Sequence, residues 1–479
     1  FYSCDNISNF YCRAAVAPKV YNNNPMPGVD MTGKVLYVPA LAINQYKQTN
    51  GWDAFAMIEP MDYEPNVINV HNLLSIQSGV RPTNKPDLNL FGYDNEYAKM
   101  TINGTDMFSV NKFSINNTLY YNYWGDYIYD NPYNTLLNYA TMRADSVVQS
   151  VSLYRDRWHF VTFPYDVKVS SIIAPDNTRW ALRTYSGLNR AKVLMDSTWI
   201  NLSSDSIMHS GTGYIIMCSG DNEYNNTFAF PAINNINKNQ IFSTADRTLP
   251  LNEYLSDFGH NRSWNLIGNP YPCFFDSRLL SLTAPITTWN GYTYVAYSPL
   301  DDSYILHPNE AFFVQRPIDQ SSITFSANGR QLTSEVVARQ NNAKHYFGIN
   351  AESARSILNI LLSSEKVSDK TRIVINNKAT LNYDMECDAT KFMSTDLSVP
   401  QIYSINDHVD YSINERPLSN AMIVLGTYFG SEGKYTISMT ANDAVTATLV
   451  DKKTGSQQVL NNGSYSFEAN SGTYNDRFL

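Results

Sequence analysis

The segment at residues 36–58, LYVPALAINQYKQTNGWDAFAMI, constrains the fold of this chain more than any other. A short β-rich stretch ends at Val38 and Pro39, and residues with helical character follow it. Four apolar residues then recur at intervals that place them on one side: Tyr46, Trp52, Phe55 and Ile58. An aromatic segment of this kind can cover the last open apolar layer of a stack of repeated strands. The alternative is an ordinary short helix packed on a strand.

The pattern VPxxxxxxY followed by GWxxF, with FYCRA upstream at residues 10–14, resembles the last repeat and cap of the BspA-like leucine-rich-repeat proteins of Bacteroidota. The resemblance covers residues 1–62. It implies a cell-surface or secreted bacterial protein, of a group in which many members are implicated in adhesion. It also leads us to expect that the chain begins inside a repeat domain.

The composition favours an all-β, extracellular protein. Of the 479 residues, 13% are aromatic, including 34 Tyr, and only 16% are charged. Tyr and Thr suit half-buried pleated strands, whereas Asn, Gly and Pro suit the turns between them. A chain of this length suggests about three domains.

The charge pattern argues against a nucleic-acid partner. The net charge is −9 and the sequence contains no run of Lys and Arg, which a nucleic-acid surface requires. No apolar stretch approaches the roughly 20 residues that span a bilayer, so we expect no transmembrane segment. The first residues lack the charged start and apolar run of a secretory signal, which leads us to expect a mature or processed form.

Five cysteines occur at spacings that fit neither a metal knuckle nor a CxxC redox pair: Cys4, Cys12, Cys218, Cys273 and Cys387. Cys4 and Cys12 are the one local candidate for a disulfide. We otherwise expect the cysteines to be small buried apolar residues.

The middle of the chain contains matched elements. WHFVTFPY at residues 158–165 is echoed by WNLIGNPY at residues 264–271. Two further pairs of runs follow in the same order, at residues 213–217 and 311–314, and at residues 227–230 and 323–326. We interpret residues 151–338 as an internal duplication whose two halves face each other in a β-sandwich.

Two more resemblances concern the second half of the chain. Residues 264–272 and 308–314 look like a module common in secreted Bacteroidota proteins, in which W-x-L-I-G-N-P-Y-P precedes P-x-x-x-F-F-V. That module implies a β-sandwich and no catalytic chemistry. The C-terminal region resembles the sandwich that precedes the sorting tail of type IX-secreted proteins, through residues 378–380, 388–392, 451–455 and 477–479. The export route is left open.

We therefore predict a mainly β chain, in which the end of a leucine-rich-repeat solenoid is followed by several β-sandwich (jelly-roll or Ig-like) domains. The predicted domains are a terminal repeat and cap at residues 1–62, a Tyr/Asn-rich β region at 63–150, the duplicated sandwich at 151–338 and a C-terminal sandwich at 339–479.

No catalytic constellation stands out in the sequence. None of the seven His residues has HxH or HExxH spacing, so zinc catalysis has no support, and we predict no enzyme and no cofactor. Three alternating acids, Asp384, Glu386 and Asp388, would lie on one side of an extended chain, where a structural Ca²⁺ ion would offset their repulsion. The alternative is a solvated strand edge with Met385 and Cys387 facing inward.

An aromatic run at residues 120–129 offers candidate ligand-binding residues: Tyr121, Tyr123, Trp124 and Tyr127. Sugars stack on aromatic rings while amides and carboxylates meet their hydroxyl groups. In an alternating strand, half of these rings would instead form a core and the rest its solvent face.

Three tripeptides resemble the D-S-aliphatic/Thr acceptor used for O-glycosylation in exported Bacteroidota proteins. Their candidate serines are Ser146, Ser197 and Ser206. Only an exposed serine can be modified.

These observations predict a non-enzymatic bacterial surface or secreted protein that acts in adhesion or as an extracellular scaffold. Its expected location is the extracellular space or the outer-membrane surface of a Gram-negative bacterium, and its expected partner is a host or bacterial surface protein or a glycan. The alternative is a carbohydrate-binding accessory module of a glycan-utilisation protein. An undetected hydrolase is the third option, and it requires paired carboxylates in a cleft.

Overall fold

The computed structural model describes residues 7–20, 24–92, 97–119, 133–220, 226–233, 240–337, 355–418, 422–442, 446–461 and 463–479. Across these ranges the protein is mainly β, as predicted, and is built from several sheets. The described ranges contain two short α-helices, α1 (Ile43–Gln48) and α2 (Gly187–Ala191).

Three parallel strands open the fold: β1 (Asn9–Tyr11), β2 (Val35–Pro39) and β3 (Met57–Met61). Phe10, Leu36 and Ile58 stand in register across them and are buried. Helix α1 lies between β2 and β3. The residues predicted to form one apolar side of this segment are all buried: Tyr46, Trp52, Phe55 and Ile58.

The strand stacking continues beyond residue 62. One parallel run contains β4 (Val67–Val70), β6 (Asp87–Leu90), β8 (Phe108–Leu119) and β10 (Met142–Leu153), and a second contains β5 (Leu73–Ile76), β7 (Lys99–Ile102) and β9 (Thr135–Asn138). Equivalent apolar residues stack in rows, one of which consists of Ile68, Leu88, Phe113 and Val147. From β4 to β10 the chain therefore alternates between two parallel sets of strands, and we call this part of the molecule the coil. The described strands do not show a leucine-rich-repeat solenoid.

Helix α1 packs against this coil. The Nε2 atom of Gln45 donates a hydrogen bond of 2.6 Å to the carbonyl of Leu73, on β5, which is the outer strand of its sheet. The aromatic segment thus contacts the edge of the strands that follow it, and it also packs on the residues before it, which the sequence predicts that it covers.

Two units of equal strand order occupy the region of the predicted duplication. The first contains β11 (His159–Val161), β12 (Val167–Lys168), β13 (Arg179–Tyr185), β14 (Trp199–Asn201), β15 (Ile207–Met208), β16 (Tyr214–Ser219), β17 (Asn226–Pro231) and β18 (Gln240–Phe242). The second contains β19 (Arg247–Pro250), β20 (Trp264–Gly268), β21 (Phe274–Asp276), β22 (Ile286–Trp289), β23 (Tyr294–Tyr297), β24 (Ile305–Leu306), β25 (Ala311–Gln315), β26 (Ser322–Phe325) and β27 (Arg330–Gln331). Their main antiparallel sheets have the orders β11-β16-β13-β14 and β20-β25-β22-β23.

Equivalent residues of the two units make equivalent contacts. The hydroxyl of Tyr165 donates to the carbonyl of Phe230, and the hydroxyl of Tyr271 donates to that of Phe325, both at 2.9 Å. The units also exchange backbone hydrogen bonds, from Thr162 N to Asn309 O at 3.1 Å and from Gly268 N to Gly211 O at 2.8 Å. The matched sequence runs therefore lie at structurally equivalent positions.

The two main sheets pack face to face through aromatic rings. Phe313 lies 5.6 Å from Phe160 and 4.6 Å from Tyr185, measured between ring centroids. The first unit is also joined to the coil, because β17 and β18 pair with β10. Strand β10 crosses residue 150, so the predicted domain boundary at 150–151 falls inside a strand.

The C-terminal region is one strongly curved sheet that forms a nearly closed barrel. Its strands are β28 (Ser356–Ser363), β29 (Ser368–Ile375), β30 (Ala389–Thr390), β31 (Gln401–Asn406), β32 (Val409–Arg416), β33 (Val424–Phe429), β34 (Gly433–Ala441), β35 (Thr448–Asp451), β36 (Ser456–Val459), β37 (Ser464–Ala469) and β38 (Gly472–Phe478). The hydroxyl of Tyr465, on β37, donates to Asp451, on β35, at 3.1 Å and links the two ends of the sheet.

The barrel is joined to the second unit by ion pairs and by one inserted ring. Arg372 of the barrel pairs with Asp302 at 2.6 Å, and Arg355 pairs with Asp301 at 2.6 Å. Phe392 stacks on Phe313 at 4.7 Å and so extends the aromatic cluster between the sheets.

Candidate functional site

A groove of about 570 Å³ lies between the loop after β1 and strand β4 of the coil. We call it the coil groove, and its lining includes Arg13, Lys19, Tyr63, Asn69 and His71. Both cationic residues, Arg13 and Lys19, are exposed, whereas His71 is partly buried. The groove is therefore open to solvent and mixes aromatic, amide and cationic groups.

The aromatic segment at residues 36–58 holds one wall of the coil groove in place. The indole Nε1 of Trp52 donates to the carbonyl of Pro18 at 2.8 Å, and the hydroxyl of Tyr46 donates to that of Ala14 at 3.1 Å. The backbone N–H of Ala17 donates to Gln45 Oε1 at 3.0 Å. Tyr46 and Trp52 are also buried core residues, so the side chains that hold this wall are themselves fixed by packing.

Strand alternation builds the floor of the groove. Ile68 and Val70 of β4 are buried, so Val67 and Asn69 project outward. The Oδ1 atom of Asn69 accepts a hydrogen bond of 2.9 Å from Asn89, the residue beside it on β6. This bond fixes the side chain and leaves the Asn69 amide nitrogen as a donor toward the groove.

Tyr63 and Arg13 meet at the rim. The guanidinium carbon of Arg13 lies 5.0 Å from the centroid of the Tyr63 ring, within the range of a cation–π contact. Tyr63 is 36% exposed, so part of its surface faces solvent. An aromatic ring beside a charged donor is an arrangement that can bind a sugar ring together with an acidic substituent.

No carboxylate occurs among the described residues that line the coil groove. The nearest acid in sequence, Glu64, is engaged elsewhere, because its carboxylate accepts hydrogen bonds from the backbone N–H groups of Thr83 and Asn84. The Thr83 N–H is the main cause that lowers the pKa of Glu64. The described lining of the groove includes two cationic residues, Arg13 and Lys19.

His71 contributes an unusual polar atom. Its Nδ1 is buried and has no hydrogen-bond partner among the described residues, and its ring meets Phe91 edge-on at 4.3 Å. His71 is the one histidine among the described residues that line the coil groove.

Two other cavities lack acids in the same way. One of about 500 Å³ lies beside β13 and includes Trp180 and Arg183, and an apolar one of about 280 Å³ lies in the barrel between residues 358 and 479. None of the described residues that line either cavity is Asp or Glu. These cavities do not supply the facing carboxylates that glycoside hydrolysis requires.

The aromatic ligand-binding residues predicted from sequence lie outside the described residues, since Tyr121, Tyr123, Trp124 and Tyr127 all fall between residues 119 and 133. That prediction stays a prediction.

The three predicted calcium-binding acids occupy a turn, and the extended chain that would align them does not form. Asp384 O accepts from the N–H groups of Cys387 and Asp388, and Asp384 Oδ1 accepts from Glu386 N. Asp388 is buried, while the side chains of Asp384 and Glu386 are exposed. Within the described ranges, no group of three or more His, Cys, Asp or Glu side chains is placed to hold a metal ion.

The buried carboxylate of Asp388 is held by two backbone N–H groups. Its two carboxylate oxygens accept hydrogen bonds from the backbone N–H groups of Asp384 at 2.8 Å and Glu415 at 2.7 Å. Burial outweighs these bonds and raises the pKa of Asp388 to about 7. The residue therefore ties the turn to strand β32.

The candidate glycosylation serines differ in exposure. Ser197 is exposed, whereas Ser146 and Ser206 are partly buried. Ser206 Oγ also lies 3.0 Å from Ser203 Oγ. The structure favours Ser197 among the three, and modification of each serine stays a prediction.

The described cysteines are free thiols: Cys12, Cys218, Cys273 and Cys387. Cys4 lies outside the described residues, so the predicted Cys4–Cys12 disulfide is untested. Cys218 and Cys273 are buried apolar-type residues, as expected. Burial raises the pKa of the Cys218 thiol to about 11 and that of Cys273 to about 12, which makes both poor nucleophiles.

Sequence reasoning missed the residues of the coil groove. The sequence prediction places Tyr63 at the start of the Tyr/Asn-rich β region, and Arg13 enters it only through the family resemblance at residues 10–14. The sequence signal that points to the groove is the alternation in VINV, at residues 67–70, which places Asn69 on the outer face of a strand.

Comparison with known proteins places one part of this chain. Residues 274–479 match a family described as Domain of unknown function (DUF8693). No curated protein and no solved structure matches the chain. No helix in the described part of the chain is long and apolar enough to cross a membrane.

The matched region covers the barrel and most of the second unit. It begins at Phe274, the first residue of β21, and so leaves out β20, which pairs with β25 along its whole length. The ion pairs between the second unit and the barrel lie inside it. Both residues of each of these ion pairs therefore lie within the matched part of the chain.

Proposed function

We propose that this chain is a non-enzymatic bacterial surface or secreted protein that acts in adhesion or as an extracellular scaffold, and that it contacts its ligand through the coil groove. The observation that carries the proposal is the lining of that groove. It offers an aromatic ring, an amide and two cations to a ligand, with no carboxylate among its described residues to act as a general acid or base.

The rest of the molecule supports this role by its rigidity. The coil and the first unit share a sheet through β10 and β17, and the two units exchange backbone hydrogen bonds. Ion pairs and Phe392 then join the second unit to the barrel. A framework joined at every junction suits a protein that holds a binding face at a distance from its own attachment point.

The test is binding of the full chain to host matrix proteins and to whole bacterial cells, with Tyr63→Ala as the groove variant. We expect saturable binding that Tyr63→Ala weakens, because the substitution removes the ring at the rim. Lys168→Gln, an exposed substitution on β12 of the first unit, is the matched control and is expected to bind normally. Absence of any binding, together with hydrolysis of a polysaccharide, would contradict the proposal.

The second candidate is a carbohydrate-binding accessory module. The partly exposed ring of Tyr63 and the amide of Asn69, which both line the groove, favour it, because aromatic rings stack on sugars while amides bind their hydroxyl groups. A glycan array run with the wild type, Tyr63→Ala and Trp124→Ala distinguishes the two aromatic sites. Loss of glycan signal in Tyr63→Ala alone assigns the site to the coil groove, and loss in Trp124→Ala alone assigns it to the Tyr/Trp run.

A further inference from the structure

We propose that Lys391 and Asp369 react with each other inside the barrel and join their side chains through an amide bond. The observation that carries the proposal is their contact: Lys391 Nζ lies 2.5 Å from Asp369 Oδ2, and 0% of either side chain is exposed. The cross-link is a modification that the chain makes to itself. It goes beyond the proposed binding function and does not depend on the coil groove.

Burial separates this pair from an ordinary surface ion pair. Lys85 lies 2.9 Å from the carboxylate of Asp145, but 47% and 35% of those side chains are exposed, so water solvates both charges. Without solvent, the two ions carry a large desolvation cost, which a proton transfer from Nζ to the carboxylate removes. That transfer leaves a neutral amine, which is a nucleophile, in contact with a carboxylic acid.

The contacts of Asp369 prepare its carboxyl group for attack. Oδ1 accepts a hydrogen bond of 3.2 Å from the hydroxyl of Thr293, which is buried. This donor stabilises the negative charge that builds on Oδ1 when the amine adds to the carboxyl carbon. Oδ2 accepts a hydrogen bond of 2.9 Å from the backbone N–H of Ile402, on β31, which fixes the orientation of the group.

The reaction balances without an oxidant or a second reactant. The nitrogen forms a bond to Asp369 Cγ, and the bond between Cγ and Oδ2 breaks. Of the three protons on the lysine ammonium, one moves to Oδ2 first, a second follows as water leaves, and the third stays on the amide nitrogen. The products are one neutral amide and one water molecule. Because the site is closed to solvent, the reverse hydrolysis lacks its reactant.

The bond would join two parts of the barrel that are separate in sequence. Asp369 lies on β29, and Lys391 directly follows β30. Both of these strands pair with β32. An amide between the two side chains closes residues 369–391 into a covalent ring, which tension on the chain ends cannot extend. Such a ring suits a protein that holds a surface contact under load.

The alternative is a permanent ion pair, and the barrel contains one for comparison. Arg477 lies 2.9 Å from Asp451, and their side chains are 3% and 0% exposed. An arginine keeps its charge and presents no free amine, so that pair cannot condense. Lys391 places a reactive amine in an equally buried setting.

The test is the intact mass of the full chain, produced recombinantly, reduced and denatured, for the wild type, Lys391→Arg and the control Lys85→Arg. We expect the wild type and Lys85→Arg to weigh one water molecule less than their sequences, and Lys391→Arg to have its full sequence mass. After digestion of the wild type with trypsin, we expect a branched peptide in which residues 367–370 are joined to Lys391, with no cleavage after Lys391. Fragmentation of that peptide locates the bond.

A wild-type chain of full sequence mass overturns the proposal, and so does a loss of water that fragmentation places on other residues. The wild-type result is decisive even where Lys391→Arg fails to fold, because the mass is read on the denatured chain. Ligand binding is measured separately. A missing cross-link therefore leaves the proposed function in place, and a failed binding assay leaves the cross-link in place.

Discussion

Single residues with equivalent roles show how the two units are built. Tyr165 and Tyr271 each directly follow a proline that comes after a buried strand, and they donate their hydroxyls to backbone carbonyls of β17 and β26, respectively. Both rings are buried, and burial raises the pKa of each phenol. The tyrosine of the Pro-Tyr pair that recurs in the sequence therefore makes the same kind of hydrogen bond in both units.

Removing either hydroxyl is predicted to destabilise the protein to a similar extent. Tyr165→Phe and Tyr271→Phe each remove a buried hydrogen bond, which costs about 0.5–1.5 kcal/mol. The measurement is the unfolding midpoint of each variant in urea. Tyr139→Phe is the control, because Tyr139 is exposed and surface substitutions usually change stability by less than about 0.5 kcal/mol. Equal midpoints for all four proteins would show that the two bonds do not stabilise the units.

The buried carboxyl of Asp388 predicts a pH dependence. Its pKa is about 7 in the folded chain and close to the ordinary 3.8 when unfolded, so the folded state holds the proton more tightly. The resulting stabilisation is complete at low pH and is lost as the pH rises from about 4 to about 7, by at most about 1.4 kcal/mol per pH unit. Asp388→Asn carries no titrating proton and should not show this loss. Melting temperatures of both proteins at pH 5 and pH 8 test it, and parallel shifts in the two would contradict it.

At the scale of elements, the junction between the second unit and the barrel depends on a short segment after β30. Phe392 contacts Trp264 at 4.9 Å and Phe313 at 4.7 Å, and the guanidinium of Arg190 lies 4.4 Å from its ring. Lys391, the residue before it, forms a fully buried ion pair with Asp369. Phe392 thus packs in the aromatic cluster, while its neighbour Lys391 is fixed by a buried ion pair inside the barrel.

Phe392→Ala is predicted to uncouple the barrel from the two units. The substitution removes the ring that fills the space between them, at a cost of about 2–4 kcal/mol. Calorimetry should then show separated thermal transitions where the wild type shows coupled melting. Met393→Ala is the matched control, since Met393 is 40% exposed. A single unchanged transition in Phe392→Ala would mean that the other contacts, such as the ion pairs and the Tyr383–Gln315 hydrogen bond, hold the junction.

At the scale of the whole molecule, local patterns could be predicted from the sequence and long-range pairing could not. The mainly β class and the buried aromatic side of residues 36–58 follow from periodicity within one segment. The parallel coil does not, because Ile68, Leu88, Phe113 and Val147 stack at unequal intervals and no fixed repeat marks them. Arg13 and Tyr63 are distant in sequence and meet only when the strands stack.

The three acids that the sequence predicts as calcium ligands are not aligned, and the reason is local. An alternation of acids aligns their side chains only in an extended chain, and Asp384 instead caps its own turn by accepting from Glu386 N. The aromatic segment is buried, as expected, but it also contacts β5, which follows it, through Gln45. A contact made by this polar side chain is not visible in the apolar periodicity.

The most direct test of a ligand site in the coil groove is hydrogen–deuterium exchange of the full chain, measured by mass spectrometry with and without a matrix protein or glycan found to bind it. We predict slower exchange in residues 13–19 and 63–72, because a ligand there restricts the loop and the outer face of β4. Protection confined to other parts of the chain, such as residues 120–132 or the cavity beside β13, would contradict the account.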